Sequence, residues 1–170
     1  MKVAIVSDIH DHIWNLAAAL PDLQKADVLL GCGDYCSPFV VGQLAAGFQG
    51  PIHLVTGNND GDLYRITEVA GGHDHVHLHG EFFEGVLDGK QVAVTHYPAI
   101  AHPAAQSGSY DLVCCGHNHT LAIDEVGEAL LVNPGPLMGY NPLQQVDVPA
   151  TYVIYDGETA QATRYTLNSR

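Results

Sequence analysis

The sequence predicts an α/β fold in which a parallel sheet is followed by mostly antiparallel strands. These strands would form one mixed sheet, or two sheets packed face to face, with helices outside. Unbroken apolar strands alternate with helices in the first half of the chain, and Asp-Gly hairpin signals lie in the second half. The length of 170 residues, with 46 % hydrophobic side chains, suits a single domain spanning residues 1–170.

The first half of the chain alternates strands and helices. Strands are predicted at Lys2–Val6, Val28–Cys32 and Ile52–Thr56, and helices at Ile13–Lys25 and Phe39–Ala46. In the first helix, apolar residues recur at the three- and four-residue spacing of one helical face. The strands are apolar throughout rather than alternating, which is typical of a parallel sheet that is covered on both faces.

The second half of the chain contains mostly strands. Asp88-Gly89 separates Phe82–Leu87 from Gln91–Thr95, and this dipeptide is a strong signal for a tight hairpin turn. Asp156-Gly157 gives the same signal between two further strands. The remaining strands are predicted at Leu112–Cys115, Leu121–Glu125, Ala129–Val132, Thr151–Tyr155 and Ala160–Thr166.

The charge of the chain argues against some classes of partner. It carries 6 basic and 19 acidic side chains, for a formal net charge of −13, and it contains no basic run. Such a surface repels phosphate backbones and anionic headgroups. We therefore expect no nucleic-acid partner and no membrane partner, whereas a homo-oligomer is compatible with the sequence.

The N-terminus lacks the features of an export signal. Only five residues, Val3 to Ser7, precede the first acidic residue, and no apolar run approaches the ~20 residues that cross a bilayer. We expect a cytoplasmic protein. Its four cysteines are then expected to be free thiols, with Cys114 and Cys115 pointing to opposite faces of a strand.

Each predicted buried strand ends in polar residues that can bind a metal ion. Because ligands bind beyond the carboxyl ends of the strands in open α/β sheets, these ends are expected to meet at one place. Each motif alone is more often a turn, a helix cap or a structural histidine, and it is the ordered set that indicates a metal centre. The five segments are Ser7-Asp8-Ile9-His10, Gly33-Asp34, Gly57-Asn58-Asn59-Asp60, Thr95-His96 and Gly116-His117-Asn118-His119.

The side chains in these segments suit divalent ions. Carboxylate, amide oxygen and imidazole ligands together favour ions such as Mn²⁺, Fe²⁺, Zn²⁺ or Mg²⁺. In an extended segment residues i and i+2 point the same way, so Asp8 and His10 are expected to share one ion. His117 and His119 would lie about 7 Å apart, at ~3.3 Å per residue, which fits one histidine on each of two ions. Asp34 would bridge them.

The ordered motifs SDIH, GD, GNND, TH and GHNH resemble those of the calcineurin-like metallophosphoesterase superfamily, and in particular its small single-domain bacterial and archaeal phosphodiesterases. The resemblance covers nearly the whole chain, from Ser7 to Asn133-Pro134-Gly135. It implies a four-layer α/β/β/α sandwich of two mixed sheets flanked by helices. It also implies two metal sites that share Asp34, the first with Asp8, His10 and His119, the second with Asn58, His96 and His117.

The resemblance further implies a metal-dependent phosphoesterase. We expect it to hydrolyse small phosphodiesters, or monoesters, by attack of a hydroxide that bridges two divalent ions. Mn²⁺ is the expected ion, with Fe, Zn, Mg or Ni as alternatives. The candidate catalytic residues are Asp34, Asn58 and Asn59, and the candidate substrate contacts are Asn59, His12 and Tyr97.

Three positions depart from the pattern of the family. Asn59 occupies the position where many members carry a histidine that aids departure of the leaving group, and an amide has no titratable proton to transfer. Asp11 follows His10 where glycine is usual, and Pro136 follows Asn133-Pro134-Gly135 where serine is usual. These departures bear on the substrate and leave the predicted metal ligands intact.

Two other features invite a functional interpretation. The tract from Gly72 to His79 contains four histidines that would share one face of a strand, with Val76 and Leu78 on the core side, so we interpret it as a solvated edge. Trp14, the single tryptophan, is expected to pack within the fold rather than against a substrate.

Two alternatives to a small-molecule phosphoesterase remain. A scaffold subunit that has lost catalysis, as in the retromer complex, would show broken metal ligands or a large exposed apolar patch. A nuclease of the same superfamily would need a basic strip, which the chain lacks.

Overall fold

The computed structural model describes residues 1–167 and contains helices on the outside of two β-sheets. The helices are α1 (Ile13–Leu23), α2 (Pro38–Gly47), α3 (Leu63–Gly71) and α4 (Pro98–Gln106). The strands are β1 (Lys2–Val6), β2 (Val28–Gly31), β3 (Ile52–Leu54), β4 (Val76–Leu78), β5 (Phe82–Leu87), β6 (Lys90–Thr95), β7 (Leu112–Cys114), β8 (Ala122–Val126), β9 (Ala129–Asn133), β10 (Tyr140–Asn141), β11 (Val146–Asp147), β12 (Thr151–Asp156) and β13 (Gln161–Thr166).

The two large sheets are both mixed. The six-stranded sheet has the order β13-β12-β1-β2-β3-β4, and the five-stranded sheet has the order β5-β6-β7-β9-β8. Strands β1 to β4 pair in parallel, whereas β12 and β13 pair antiparallel to their neighbours. In the second sheet β6, β7 and β9 are parallel, with antiparallel strands at both edges.

Three apolar clusters define four layers. Helices α1, α2 and α3 pack on the outer face of the six-stranded sheet, and α4 packs on the outer face of the five-stranded sheet. The third cluster fills the space between the two sheets, with Ile5 and Leu30 from one sheet and Val94 and Leu112 from the other. This is the α/β/β/α sandwich expected from the motifs, so the predicted fold class is confirmed.

Both predicted hairpins are present. Asp88 and Gly89 both have positive φ angles, 51° and 77°, as the mirror-image turn of a two-residue hairpin requires. Strands β12 and β13 pair from Thr151↔Thr166 to Asp156↔Gln161, so the second hairpin has a longer connection than its Asp-Gly signal alone indicates.

Helices α3 and α4 were not predicted. Helix α3 is only nine residues long, so its apolar stripe of Leu63, Ile66 and Ala70 spans two turns and was not recognised in the sequence. Helix α4 contains two prolines, and its buried residues are the small Ala101 and Ala105. Pro98 lies in its first turn, where a missing backbone N–H is harmless. Within residues 1–167, no helix is long and apolar enough to span a bilayer.

The cysteines match their predicted state. All four thiols are free. Cys114 points into the cluster between the sheets, and Cys115 points into the cluster under α4. The two adjacent side chains therefore lie on opposite faces of the five-stranded sheet, as the strand prediction requires.

The carboxyl ends of the parallel strands of both sheets meet at one edge of the sandwich. His96 follows β6, and its Nδ1 atom donates a hydrogen bond of 2.7 Å to the carbonyl oxygen of Cys32, which follows β2. The backbone N–H of Gly116, after β7, donates to the carbonyl of His96. The polar strand ends identified in the sequence are thus adjacent in space.

Candidate metal centre

Two groups of side chains form at this edge, and Asp34 lies between them, in contact with one histidine of each. Its Oδ2 atom lies 3.4 Å from Nε2 of His10 and 3.4 Å from Nε2 of His96. The Asp34 side chain is almost fully buried. One carboxylate oxygen therefore contacts the nearest imidazole of each group.

The first group consists of Asp8, His10 and His119. The Nε2 atoms of the two histidines are 3.2 Å apart, and Oδ1 of Asp8 lies 3.3 Å from His119 and 3.8 Å from His10. Their ligand atoms all lie within 4.8 Å of one another, and so do ligand atoms of Asp8, Asp34 and His96. The two sets share Asp8, so the groups are immediate neighbours.

The second group consists of Asn58, His96 and His117. Oδ1 of Asn58 lies 3.0 Å from Nε2 of His96 and 2.8 Å from Nδ1 of His117. The two imidazole nitrogens are 3.2 Å apart. His117 and His119 therefore belong to different groups, which agrees with the expectation of one histidine for each of two ions.

The backbone at the centre is strained. Five of the seven predicted ligands have positive φ angles between 44° and 73°, a region that non-glycine residues rarely adopt. They are Asp8, His10, Asp34, His117 and His119. The expectation that Asp8 and His10 lie in an extended segment is wrong, because left-handed turns, and not strand alternation, bring their side chains together.

Comparisons with known proteins identify the family of the chain. Residues 1–160 match the model of the calcineurin-like phosphoesterase superfamily domain. Phosphodiesterase MJ0936 of Methanocaldococcus jannaschii is 31 % identical over 144 residues, which cover 82 % of this chain and 86 % of that protein. The chain belongs to the calcineurin-like phosphoesterase superfamily.

Solved structures of other proteins share the fold of this chain. A structure described as a novel archaeal phosphodiesterase superposes on this phosphoesterase with a TM-score of 0.87 at 29 % identity, covering 98 % of this chain and 100 % of that one. Vacuolar protein sorting 29 from Cryptosporidium parvum superposes with a TM-score of 0.68 at 17 % identity, covering 98 % and 96 %, and this likeness concerns the fold alone.

The spacing of the imidazole nitrogens fits a shared metal ion. Two nitrogens that each lie about 2.1 Å from a common ion, at tetrahedral to octahedral angles, are about 3.0–3.4 Å apart. The pairs His10–His119 and His96–His117 both have nitrogens 3.2 Å apart and ring centroids 5.0 Å apart. With carboxylate and amide oxygens beside them, the donor set of the phosphoesterase suits two divalent ions.

A third histidine pair has a different geometry. The nitrogens of His53 and His79 are 2.9 Å apart, closer than in the two pairs of the centre, but their ring centroids are 5.2 Å apart, which is farther than in those pairs. The nitrogens therefore lie directly between the rings, as in a head-on hydrogen bond. In each pair of the centre the nitrogens are 3.2 Å apart, yet the ring centroids are only 5.0 Å apart. The two nitrogens therefore face a common point to one side of the line that joins them, where an ion would lie.

This pair also corrects the interpretation of the histidine tract. Val76 is buried and His77 is exposed, as expected of a solvated edge. However, β4 contains only Val76–Leu78, so the four histidines do not share one strand face. His75 precedes the strand and contacts the carbonyl of Ala45, and His79 follows it and bonds to His53.

Hydrogen bonds from the outer nitrogens orient the imidazoles. Nδ1 of His119 donates to the carbonyl of Tyr140 at 2.6 Å, and Nδ1 of His96 donates to Cys32, as described above. Since a carbonyl oxygen only accepts, both rings carry a proton on Nδ1, and Nε2 is the nitrogen that faces the centre and would bind an ion. Nδ1 of His10 contacts Sγ of Cys36 at 3.4 Å.

Asp60 organises the centre, and its role was not recognised in the sequence. Its buried carboxylate accepts backbone N–H bonds of 2.7 Å from Tyr35, 2.9 Å from Cys36, 3.2 Å from Asp34 and 2.7 Å from Gly57. These bonds tie the loop after β2 to the loop after β3. The motif Gly-Asn-Asn-Asp indicates a turn, and the bond from Gly57 agrees with it, but the other three bonds come from residues 24 to 26 positions away.

The candidate substrate contacts lie in different surroundings. The Asn59 side chain donates a bond of 2.8 Å to Oδ2 of Asp34, so in this structure it supports the shared carboxylate. The Tyr97 ring packs edge-on against His96 and His117, at centroid distances of 5.1 and 5.4 Å, and therefore lines the second group. Nδ1 of His12 accepts the N–H of Asn15 and caps α1.

The expected packing of Trp14 is wrong. Its side chain is 65 % exposed at the start of α1, where it meets only the edge of the His12 ring among the aromatic contacts of residues 1–167. Trp14 is the second residue of α1, and its side chain lies outside the buried face of that helix.

Burial and charge act in opposite directions on the titrating groups of the centre. Burial alone would raise the pKa of Asp8, but hydrogen bonds from His10 and His119 outweigh it and hold that pKa well below its usual range. Burial alone would lower the pKa values of His96 and His119, yet the carboxylates of Asp34 and Asp8 raise them above the ordinary value of 6.5.

We expect metal binding to weaken steeply as the pH falls, because the ion must displace protons from His96 and His119. Affinity for Mn²⁺ should fall at least about tenfold between pH 8 and pH 6. In the metal-free protein the same histidines stabilise the fold below pH 6.5, and this contribution is lost as the pH rises through their raised pKa values. Calorimetric titration with Mn²⁺ at several pH values measures the pH dependence of the metal affinity, and an affinity that does not change with pH would contradict this prediction.

Proposed function

We propose that this phosphoesterase is a phosphodiesterase that hydrolyses small phosphodiesters with two divalent ions, Mn²⁺ being the expected metal. The observation that carries the proposal is the position of Asp34, whose Oδ2 atom is 3.4 Å from a histidine of each ligand group. The 31 % identity with a protein named as a phosphodiesterase supports the choice of substrate class.

The residues of the chain position and polarise the reaction. When bound, two divalent ions would acidify a water molecule as nucleophile and polarise the phosphoryl oxygens. Asp34 holds the two groups together, and the two bonds from the backbone and side chain of Asn59 fix its carboxylate. Asn58 lies on the exposed side of the centre, where substrate enters. No side chain in this arrangement needs to act as a nucleophile.

The proposal is tested by hydrolysis of bis(4-nitrophenyl) phosphate and of 4-nitrophenyl phosphate with metal-stripped protein that is then titrated with Mn²⁺. We expect diester cleavage to return with two equivalents of metal and to exceed monoester cleavage. Tight binding of two ions without turnover of either ester would contradict the proposal and favour a scaffold.

We further propose a small-molecule substrate rather than a nucleic acid, because the net charge of −13 opposes a polynucleotide. Added DNA should therefore not compete with diester cleavage. The cytoplasmic location and a homo-oligomeric state remain predictions from the sequence.

Asn59→His is expected to increase activity selectively. An imidazole at this position supplies the proton donor that the asparagine lacks, which helps poor leaving groups most. Loss of the Asn59 bond to Asp34 affects both esters alike, so the prediction concerns their ratio. Relative to the wild type, the ratio of kcat for an alkyl diester to kcat for a nitrophenyl diester should rise about 10²-fold. A plot of log kcat against leaving-group pKa should become flatter. An unchanged slope would show that Asn59 is not placed to influence the leaving group.

A further inference from the structure

A cavity adjoins the proposed metal centre. It has a volume of about 440 Å³, within the range of small-molecule sites, and it is lined by His119, Thr120 and Leu121 on one side and by Arg164 and Thr166 on the other. Arg164 and Thr166 lie on β13, an edge strand of the six-stranded sheet, and the segment from His119 to Leu121 directly precedes β8, an edge strand of the five-stranded sheet. His119 belongs both to its lining and to the first ligand group.

The position of Arg164 follows from the register of β13. Arg164 pairs with Val153, and Val153 points into the cluster between the sheets. Cross-strand partners lie on the same face, so the side chain of Arg164 also leaves the strand on the inner face. Thr166 lies two residues further, on the same face and closer to the carboxyl ends of the parallel strands.

The charge of the cavity is opposite to that of the rest of the chain. Acidic side chains outnumber basic ones by 19 to 6, yet neither Asp nor Glu lines this cavity. Lys25, Arg65 and Lys90 each form an ion pair with an aspartate. Arg164, in contrast, has no ion-pair partner among residues 1–167.

The cavity also contains polar side chains that are available to a ligand. Neither Gln144 nor Thr166 hydrogen-bonds through its side chain to another residue in the described part of the chain, although both line the cavity. An amide, a hydroxyl and a guanidinium together form a set of donors that suits an anionic group, and an arginine can bind a carboxylate or phosphate through two hydrogen bonds.

We propose that this cavity binds one ester arm of the substrate and that Arg164 selects an arm ending in a negatively charged group, a carboxylate or a phosphate. The substrates would then be phosphodiesters that carry a second anionic group. This inference rests on the phosphodiesterase activity proposed above, because the metal centre holds the diester whose arm enters the cavity.

The test compares three 4-nitrophenyl phosphodiesters whose second arm is an alkyl chain ending in a carboxylate, a phosphonate or a carboxamide. We measure kcat/KM for each with the wild type, Arg164→Ala and Lys25→Ala. Lys25→Ala is the matched control, because it removes one positive charge from an exposed ion pair at the end of α1.

The wild type should prefer a charged arm over the carboxamide roughly tenfold, mainly through KM. Arg164→Ala should reduce this ratio to about one, whereas Lys25→Ala should retain it. The larger of the carboxylate and phosphonate ratios identifies the preferred anion. A ratio near one in the wild type, or a ratio that survives in Arg164→Ala, would overturn the proposal.

A second readout separates this inference from the proposed activity. The NMR resonance of the Arg164 guanidinium should shift on addition of the carboxylate compound and not on addition of the carboxamide, and this measurement requires no turnover. If none of the three diesters is cleaved, the proposed phosphodiesterase activity is contradicted. If the Arg164 resonance does not shift, the proposed anion-binding cavity is contradicted.

Discussion

Asp34→Asn is expected to abolish diester hydrolysis almost completely, with a fall in kcat/KM of about 10³-fold or more. The substitution keeps the volume of the side chain but removes the negative charge that both ligand groups share. The Oδ2 atom of Asp34 contacts His10 and His96 and accepts from the Asn59 side chain, so an amide nitrogen in its place presents N–H donors to all three. In the other orientation the amide nitrogen opposes the backbone N–H of Asn59. A loss of several kcal/mol of charge stabilisation corresponds to this factor.

The metal content of Asp34→Asn provides the decisive readout. We expect fewer than two Mn²⁺ ions per chain by elemental analysis after dialysis, together with the loss of activity. Asp124→Asn, at an exposed position on β8, is the matched control and should bind and cleave like the wild type. Full activity in Asp34→Asn would contradict the role of the shared carboxylate.

Gly57→Ala is expected to disrupt the centre through a single methyl group. A Cβ atom on Gly57 would overlap Oδ1 of Asp34 and lie 2.7 Å from the backbone nitrogen of Asp34. Relief requires displacement of the carboxylate and of the backbone that carries it. Overpacking of this kind costs about 1–3 kcal/mol, and a shift of about 1 Å at a catalytic group costs about 10²-fold in rate. The midpoint of urea unfolding and kcat/KM for the diester measure the two effects.

Gly61→Ala is the matched control for this experiment. Gly61 lies four residues along the same loop, and a Cβ atom there meets no other atom within 4 Å. It should therefore leave stability and activity nearly unchanged. Equal effects of the two substitutions would show that flexibility of the loop, and not contact with Asp34, explains the loss in Gly57→Ala.

The positions of the metal-binding side chains could be predicted from the sequence because they follow buried strands. Runs such as Lys2–Val6 are recognisable from composition alone, and the ends of parallel strands meet at one edge. The prediction needed no knowledge of the loops themselves. For this reason it brought Asp8, Asp34 and His96 together correctly, although it assumed an extended conformation where Asp8 adopts a left-handed one.

The supporting contacts could not be predicted because they depend on residues far apart in the sequence. Asp60 acts through the backbone of the loop after β2, and His79 bonds to His53 on the neighbouring strand. Local patterns for these residues indicate a turn and a solvated edge. Positive φ at a histidine such as His117 is also invisible in a sequence, because only glycine signals such a conformation reliably.

The most direct test of the proposed two-metal centre is a crystal structure of metal-stripped protein soaked in Mn²⁺, with anomalous difference density measured near the manganese edge. We predict two peaks, one among Asp8, His10 and His119 and the other among Asn58, His96 and His117, with the carboxylate of Asp34 between them. A single peak, or two peaks that do not share Asp34, in a crystal of protein that cleaves the diester would contradict it.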